Sequence, residues 1–139
     1  MDSRLIGYFQ RALTHEFSAT RQYLAQHHLV RSWGFEAEAE NLRSEVDEEL
    51  AHADALMGRL IAYGAQPSAA AGGGVRLGRS MRELLEANRI LEQDAVRLYR
   101  EAGAYAARVR AFEDARLFAR LESEEQAHLD EVVEALARL

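Results

Sequence analysis

The chain has 139 residues, of which 48% are hydrophobic and 29% charged, an ordinary balance for one water-soluble globular domain over residues 1–139. It contains no cysteine, which excludes disulfides, thiolate zinc sites and iron–sulfur ligation. A formal net charge of −6 argues against nucleic-acid binding, which requires a basic face. No apolar stretch approaches the roughly 20 residues of a membrane span, and none resembles a signal peptide. We therefore expect a cytoplasmic protein that binds neither nucleic acid nor membrane.

The first half of the chain predicts two amphipathic helices. Apolar residues recur every three or four positions from about Ser3 to Trp33, and Gly34 then offers a helix stop. A second helix is predicted from about Phe35 to Tyr63. Because only one proline occurs in the chain and Ala, Leu, Arg and Glu dominate, the composition favours helix throughout.

Residues 64–79 form a long connection. This segment loses the helical period and collects the only proline and five of the nine glycines. Its sixteen residues can extend over about 50 Å, whereas a helix of this length spans about 42 Å. The connection can therefore cross the whole bundle, which would leave the second and third helices parallel.

The second half of the chain repeats the first in its pattern. A third helix is predicted from about Ser80 to Arg108, and Ser80 with Glu83 reads as a capping box. The fourth helix is predicted from about Ala111 to the end. The expected fold is all-α, a four-helix bundle with a long crossover between helices 2 and 3.

Two sequence blocks occur twice in this chain. The pattern E-x-x-A-x-R-x-Y at residues 16–23 returns at 92–99, and E-E-x-A-H-x-D at 48–54 returns at 124–130. Both recur after 76 residues, and in each half a lone Glu precedes a Glu-x-x-His by 33 residues. A two-fold relation between the halves would bring all four glutamates to one level near the middle of the helices.

This repeat predicts a site for two metal ions. Glu and His at i and i+3 project from one side of a helix, and each glutamate replaces a residue of an apolar stripe. Four buried carboxylates would repel each other unless neutralised, and two divalent cations balance their charge. Oxygen-rich ligation with one nitrogen per ion suits iron or manganese better than copper. The predicted metal-binding and catalytic residues are Glu16, Glu49, His52, Glu92, Glu125 and His128.

Over essentially its whole length the chain resembles the ferritin-like superfamily and, within it, bacterioferritin. The matching stretches are Glu16 with Gln22-Tyr23, Ser32-Trp33-Gly34, Asp47-Glu48-Glu49-x-x-His52-Ala53-Asp54, Leu91-Glu92-x-Asp94 and Glu124-Glu125-x-x-His128-x-Asp130. The resemblance implies a ferroxidase centre with two iron ions per subunit, manganese being the alternative. It implies terminal ligation by Glu16 and Glu92, bridging by Glu49 and Glu125, and end-on nitrogen ligation by the two histidines. The family oxidises Fe(II) with dioxygen or peroxide and stores ferric mineral inside a hollow homo-oligomeric shell.

The chain departs from bacterioferritin at three places. Leu50 stands where that family has its haem-ligating Met, so haem is not expected at that position. Glu131 replaces a Trp near the site, and the family's short fifth helix has no counterpart. We therefore expect a twelve-subunit shell or a dimer. The alternative functions are a dimeric di-iron or Mn/Fe oxidase or peroxidase without iron storage, and a metal-stabilised interaction module.

Some repeated residues beside the site allow more than one interpretation. Tyr23 and Tyr99 either hydrogen-bond a ligand carboxylate, supply an electron during oxidation, or fill the core. Asp54 and Asp130 follow each His by two residues and either orient a ligand on a neighbouring helix or form an ion pair with Arg21 or Arg97.

Overall fold

A computed structural model of the chain describes residues 2–68, 70 and 72–139, so that Met1 and, within the predicted crossover, Ala69 and Ala71 lie outside the described residues. Over this part the chain forms four helices and no strand: α1 (Ser3–Ser32), α2 (Glu36–Ala62), α3 (Met81–Arg108) and α4 (Phe112–Ala137). The predicted all-α class and the four predicted helices are thus confirmed. Among the described residues, none of these helices combines the length and apolarity needed to cross a membrane.

Side-chain caps mark the starts of α1 and α3. The side chain of Asp2 accepts a hydrogen bond from the Leu5 amide at 3.0 Å and caps α1. Ser80 caps α3 by accepting from the Glu83 amide at 3.2 Å, as predicted. The Glu83 carboxylate, however, accepts from the amide of Arg79 at 2.7 Å, one residue before the amide that a standard capping box uses.

The two short turns between helices also follow the 76-residue repeat, because each has a residue with positive φ at the corresponding position. Gly34, between α1 and α2, has φ +91°, and Arg110, between α3 and α4, has φ +65°. Both residues lie in the left-handed region, which glycine occupies without steric cost and arginine does not. The predicted stop at Gly34 is confirmed, and Arg110 carries a backbone strain that its counterpart avoids.

Helix α1 is antiparallel to both α2 and α3. Contacts between α1 and α3 run in opposite chain directions through the pairs Tyr8–Tyr105, Tyr23–Glu92 and Gln26–Asn88. Contacts between α1 and α2 do the same through Phe9–Tyr63, Glu16–His52 and His27–Ala39. Helices α2 and α3 are therefore parallel, as the length of the connection allows.

Hydrogen bonds connect both ends of the crossover to α1. Gln10 donates a hydrogen bond to the carbonyl of Gln66 at 2.8 Å and accepts one from the Ser68 amide at 2.6 Å. Gln26, more than four turns further along α1, donates to the carbonyl of Arg76 at 3.0 Å. The crossover thus contacts α1 at two positions about half the length of that helix apart.

The apolar core is divided by a polar layer. One part, near the start of α1, contains large side chains such as Phe9, Leu56, Tyr99 and Phe118, and the rings of Phe9 and Phe118 lie 4.6 Å apart. A smaller cluster around Val30 and Leu84 closes the other end. The four glutamates lie between these apolar parts, which positions the site at mid-bundle.

Candidate metal centre

One carboxylate from the middle of each helix lies in the core. Glu16, Glu49 and Glu125 are 0% exposed and Glu92 is 1% exposed. Each occupies a position that the helical period turns inward, with further buried residues of the same helix one turn before or after it. The predicted burial of four acids at a common depth is therefore what the structure shows.

The six residues singled out from the sequence form two overlapping groups. The first group is Glu16, Glu49, His52 and Glu125, and the second is Glu49, Glu92, Glu125 and His128. Within each group, one nitrogen or carboxylate oxygen per residue lies within 4.8 Å of all the others. Glu49 and Glu125 belong to both groups, so this arrangement can hold two cations that share two carboxylates.

Both imidazoles turn Nδ1 toward the carboxylates. Nδ1 of His52 lies 3.4 Å from Oε2 of Glu16 and 3.3 Å from Oε1 of Glu125. Nδ1 of His128 lies 3.3 Å from the same Glu125 oxygen and 3.8 Å from Oε1 of Glu92. The two rings are nearly parallel, with centroids 6.4 Å apart. Each ring thus presents one nitrogen to one of the two groups.

The donor atoms of this cluster lack ordinary partners. Among the described residues, the buried atoms of the cluster without a hydrogen bond are Glu16 Oε2, both oxygens of Glu49, His52 Nδ1, Glu92 Oε2, both oxygens of Glu125 and His128 Nδ1. A buried polar atom left unpaired costs about 1–3 kcal/mol. Cation binding would explain why all six neighbouring residues have such unpaired atoms. Ligand sets that are rich in oxygen suit iron or manganese.

Without metal the cluster retains protons. Burial, together with Glu16 and Glu125, raises the pKa of Glu49 well above its ordinary value, and burial beside Glu125 does the same for Glu92. Burial would lower the pKa of both histidines, but the negative charges of the carboxylates that lie close to their rings raise each to about 10. Burial also acts to raise the pKa of Glu125, yet the two imidazoles outweigh it and hold that pKa below its ordinary value. Metal ions would replace these protons.

Two tyrosines hydrogen-bond Glu16 and Glu92, the two carboxylates that each belong to only one of the two groups. The hydroxyl of Tyr23 donates a hydrogen bond to Oε1 of Glu92, and the hydroxyl of Tyr99 donates to Oε1 of Glu16 at 2.5 Å. Each tyrosine thereby reaches from its own half of the repeat to the other half. Of the interpretations open for Tyr23 and Tyr99, the structure shows the hydrogen bond to a site carboxylate in both cases.

The outer nitrogens of the two histidines contact acids that sequence reasoning missed. Nε2 of His128 forms a hydrogen bond with Glu48, and Nε2 of His52 lies 3.2 Å from Oε2 of Glu124. The signal was present, because Glu48 and Glu124 are the first residues of the repeated E-E-x-A-H-x-D block.

The structure does not bear out the interpretation that Asp54 and Asp130 orient a ligand on a neighbouring helix. Both aspartates are exposed, and Asp130 accepts a hydrogen bond from Gln126 of its own helix. The proposed ion pair with Arg97 is not what the structure shows either, since Arg97 lies 3.9 Å from Asp94. A residue two positions after an inward-facing His points away from the core.

Glu45 is a further acid that the repeat could not predict. It lies one helical turn before Glu49, and its Oε2 is 3.1 Å from Nδ1 of His128. Burial raises the pKa of Glu45 to about 7. Its counterpart after 76 residues is the fully buried Leu121. The group around His128 therefore has an acid where the group around His52 has an apolar side chain.

The centre is close to solvent between α2 and α4. A surface cavity of about 300 Å³ is lined by both histidines and by Glu48, Arg120 and Glu124. Acidic groups around such an opening attract cations toward it.

A bundle whose two halves each contribute Glu and Glu-x-x-His to a mid-bundle cluster has the architecture of the ferritin-like di-metal proteins. Residues 6–139 match the family described as "Ferritin-like domain", and the chain belongs to this family.

Within this family the chain is similar to bacterioferritins. It is 33% identical to the bacterioferritin of Rhodobacter capsulatus and 30% identical to that of Brucella melitensis biotype 1, in each case over 93% of this chain and 80% of the relative. The structure of the Rhodobacter capsulatus bacterioferritin superposes with a TM-score of 0.95 at 31% identity, covering 99% of this chain and 86% of that one. The bacterioferritin BfrA of Mycobacterium tuberculosis shares the fold with a TM-score of 0.94 at 24% identity. The resemblance seen in the sequence is confirmed.

Proposed function

We propose that this protein is a bacterioferritin-like ferroxidase, in which residues 1–139 form one ferritin-like di-iron domain. It binds two Fe(II) ions at the carboxylate and histidine cluster and oxidises them to Fe(III) with dioxygen or peroxide. Copies of the chain assemble into a homo-oligomer that stores or detoxifies the product. The observation that carries this proposal is the pair of overlapping four-residue groups whose buried donor atoms lack hydrogen-bond partners among the described residues.

The residues have distinct roles in this proposal. Glu16 and Glu92 each bind one iron, with the second oxygen of each carboxylate held by a tyrosine hydroxyl. Glu49 and Glu125 belong to both groups and hold the pair together. The histidines supply one nitrogen to each ion through Nδ1.

Charge explains why oxidation drives the ions onward. Four carboxylates neutralise two Fe(II) ions, whereas two Fe(III) ions leave an excess of two positive charges in a low-dielectric interior. Each iron gives up one electron to the oxidant, so this excess appears when both have reacted. The imbalance favours release of the product or uptake of compensating anions, and either outcome suits a protein that passes iron to a mineral.

The relatives support the iron assignment. The Rhodobacter capsulatus structure is described as having a metal-free dinuclear site and a haem iron, which are properties of that protein. In this chain Leu50, whose side chain has no iron-ligating atom, is 45% exposed on α2, and we expect no haem there.

Aerobic Fe(II) oxidation tests the proposal. Glu49→Ala and His128→Ala should slow oxidation severely, because each removes a donor from the cluster, while circular dichroism shows that both variants remain helical. Asp54→Ala is the matched control, since it removes an exposed acid from the same helix as Glu49. Oxidation at the unaltered rate in the two cluster variants would overturn the proposal.

One observation favours a second candidate, a dimeric di-iron or Mn/Fe oxidase or peroxidase that stores no iron. A groove of about 710 Å³ adjoins the centre at Tyr23 and His128, and apolar residues such as Leu42, Leu84 and Val132 line it together with acidic ones. Such a groove is large enough for an organic substrate. Gel filtration of the iron-loaded protein separates the two, because a shell of about a dozen subunits indicates storage and a stable dimer indicates the oxidase.

A further inference from the structure

Four aromatic rings connect the carboxylate and histidine cluster to the protein surface at the end of α2. The hydroxyl of Tyr99 donates a hydrogen bond to Glu16 of the cluster at 2.5 Å, and the ring of Tyr99 lies 6.2 Å from that of Phe118. Phe118 lies 4.6 Å from Phe9, and Phe9 lies 6.2 Å from Tyr63, between ring centroids in each case. The first three rings are fully buried, whereas Tyr63, the last residue of the series, is partly exposed. We call these four residues the aromatic chain.

The outer end of the aromatic chain has a base at its hydroxyl group. Tyr63 donates a hydrogen bond to Oδ2 of Asp114, a carboxylate that is 1% exposed. Burial and the bond to Asp114 raise the pKa of Tyr63, so the phenol keeps its proton at neutral pH. Nε of Arg59 lies 2.8 Å from the other oxygen of Asp114, and Nη1 of Arg59 lies 3.4 Å from the exposed Glu113. Glu113 therefore still balances Arg59 if Asp114 takes up a proton.

This arrangement suits the loss of an electron and a proton together from Tyr63. The guanidinium group of Arg59 lies 5.2 Å from the centre of the Tyr63 ring, and a positive charge there disfavours a positively charged oxidised ring. The hydroxyl proton must then leave with the electron, and Asp114 is placed to accept it. Tyr23 and Tyr99 lack such a base, because their carboxylate partners bind iron in the proposed function and a bound cation makes a carboxylate less basic.

We propose that Tyr63 is a redox-active residue, which supplies one electron to the metal centre through the aromatic chain while Asp114 accepts its phenolic proton. This inference rests on the proposed ferroxidase function and adds a donor for one particular event, the encounter of peroxide with a centre that holds a single Fe(II). Rings in series couple a distant donor to the centre better than saturated side chains do, because their π electrons are more easily displaced.

The electrons and protons of this event balance. Breaking the O–O bond of hydrogen peroxide and forming two water molecules takes two electrons and two protons. Fe(II) gives one electron and becomes Fe(III), Tyr63 gives the other and becomes a neutral tyrosyl radical, and the two protons come from solvent. The phenolic proton stays on Asp114. Without the second electron, the products would be hydroxide and a hydroxyl radical inside the core, so Tyr63 moves the oxidising equivalent to the surface.

Electron paramagnetic resonance of rapidly frozen samples tests the proposal. The anaerobic protein receives less than one equivalent of Fe(II) per subunit and then hydrogen peroxide. We expect a tyrosyl radical signal that narrows when the tyrosine rings are deuterated, and loss of this signal in Tyr63→Phe. Asp114→Asn should lose most of the signal, because the amide oxygen still accepts the hydrogen bond but does not take up the proton. Phe118→Leu and Phe9→Leu should lose most of it as well, since each removes a ring while keeping an apolar side chain, and circular dichroism checks that each variant remains helical.

Tyr105→Phe is the matched control. The hydroxyl of Tyr105 also donates to an acid, Asp2, at 2.7 Å, but its ring lies beside Tyr8 and outside the aromatic chain. This variant should keep the full signal. A radical that persists in Tyr63→Phe, or that is lost equally in Tyr105→Phe, would overturn the proposal, and so would a full signal in both ring-to-leucine variants.

The absorbance of Fe(III) in the same samples separates two kinds of failure. Iron oxidation without a tyrosyl radical in the unaltered protein would overturn the role of Tyr63 and leave the proposed ferroxidase in place. An unaltered protein that oxidises no iron would overturn the proposed function itself.

Discussion

The metal-free protein is expected to lose stability as the pH rises through the neutral and mildly alkaline range. The pKa of His52 and of His128 is raised from 6.5 to about 10 in the folded chain by the surrounding carboxylates. The folded state then binds more protons than the unfolded state between these values, so the stabilisation is complete below pH 6.5 and is lost as the pH approaches 10. The raised pKa values of Glu49 and Glu92 act with the same sign, beginning at lower pH.

The magnitude follows from proton linkage. One proton bound only by the folded state changes the free energy of unfolding by about 1.4 kcal/mol per pH unit. The two imidazoles together give a slope of at most about 3 kcal/mol per unit, and solvent screening at the opening of the centre lowers it. Bound metal should reverse the trend, because it displaces these protons and its affinity increases with pH.

Urea unfolding in the presence of a chelator measures this slope at pH intervals of about one unit. The double variant His52→Gln with His128→Gln should flatten the curve, because glutamine keeps similar bulk without a titrating group. A metal-free stability that is constant or increases between pH 6.5 and 9 in the unaltered protein would contradict the reasoning. So would a slope that the double substitution leaves undiminished, because Glu49 and Glu92 account for only a part of it.

Three further predictions concern the turns, the tyrosine contacts and the core. Arg110→Gly should stabilise the protein by about 1 kcal/mol and Gly34→Ala should destabilise it by about 1–2 kcal/mol, because both residues have positive φ; thermal unfolding checks both, and equal effects of one sign would contradict the argument. Tyr99→Phe should cost about 1–3 kcal/mol, since it leaves the buried Glu16 carboxylate without its hydroxyl donor, and urea unfolding that matches the unaltered protein would refute it. Phe118→Ala should cost about 3–5 kcal/mol in the same assay, because this fully buried ring fills the larger part of the core; a loss below about 1 kcal/mol would show that the core repacks around the gap.

The local sequence pattern accounts for the helices of this protein and for the inward positions of its site residues. The helical period marked all four helices within one or two residues and placed four glutamates and two histidines on inward faces. The repeat, applied to helices of known rise, also predicted that the crossover leaves α2 and α3 parallel. These properties depend on spacing along the chain, which a sequence displays directly.

The partners of the site residues were decided by tertiary structure. Tyr23 hydrogen-bonds Glu92 and Tyr99 hydrogen-bonds Glu16, so each tyrosine serves the opposite half of the repeat. Glu45 approaches His128 although its repeat counterpart is a leucine.

The contacts of Glu48 and Glu124 show most clearly what the sequence determined and what the tertiary structure decided. The sequence by itself determined that one glutamate of each Glu-Glu pair faces the core, because neighbouring helical residues point in different directions. It did not determine that Glu48 and Glu124, rather than Asp54 and Asp130, contact the histidines. That choice depends on the rotation and separation of α2 and α4, which packing of the whole bundle sets and no local pattern encodes.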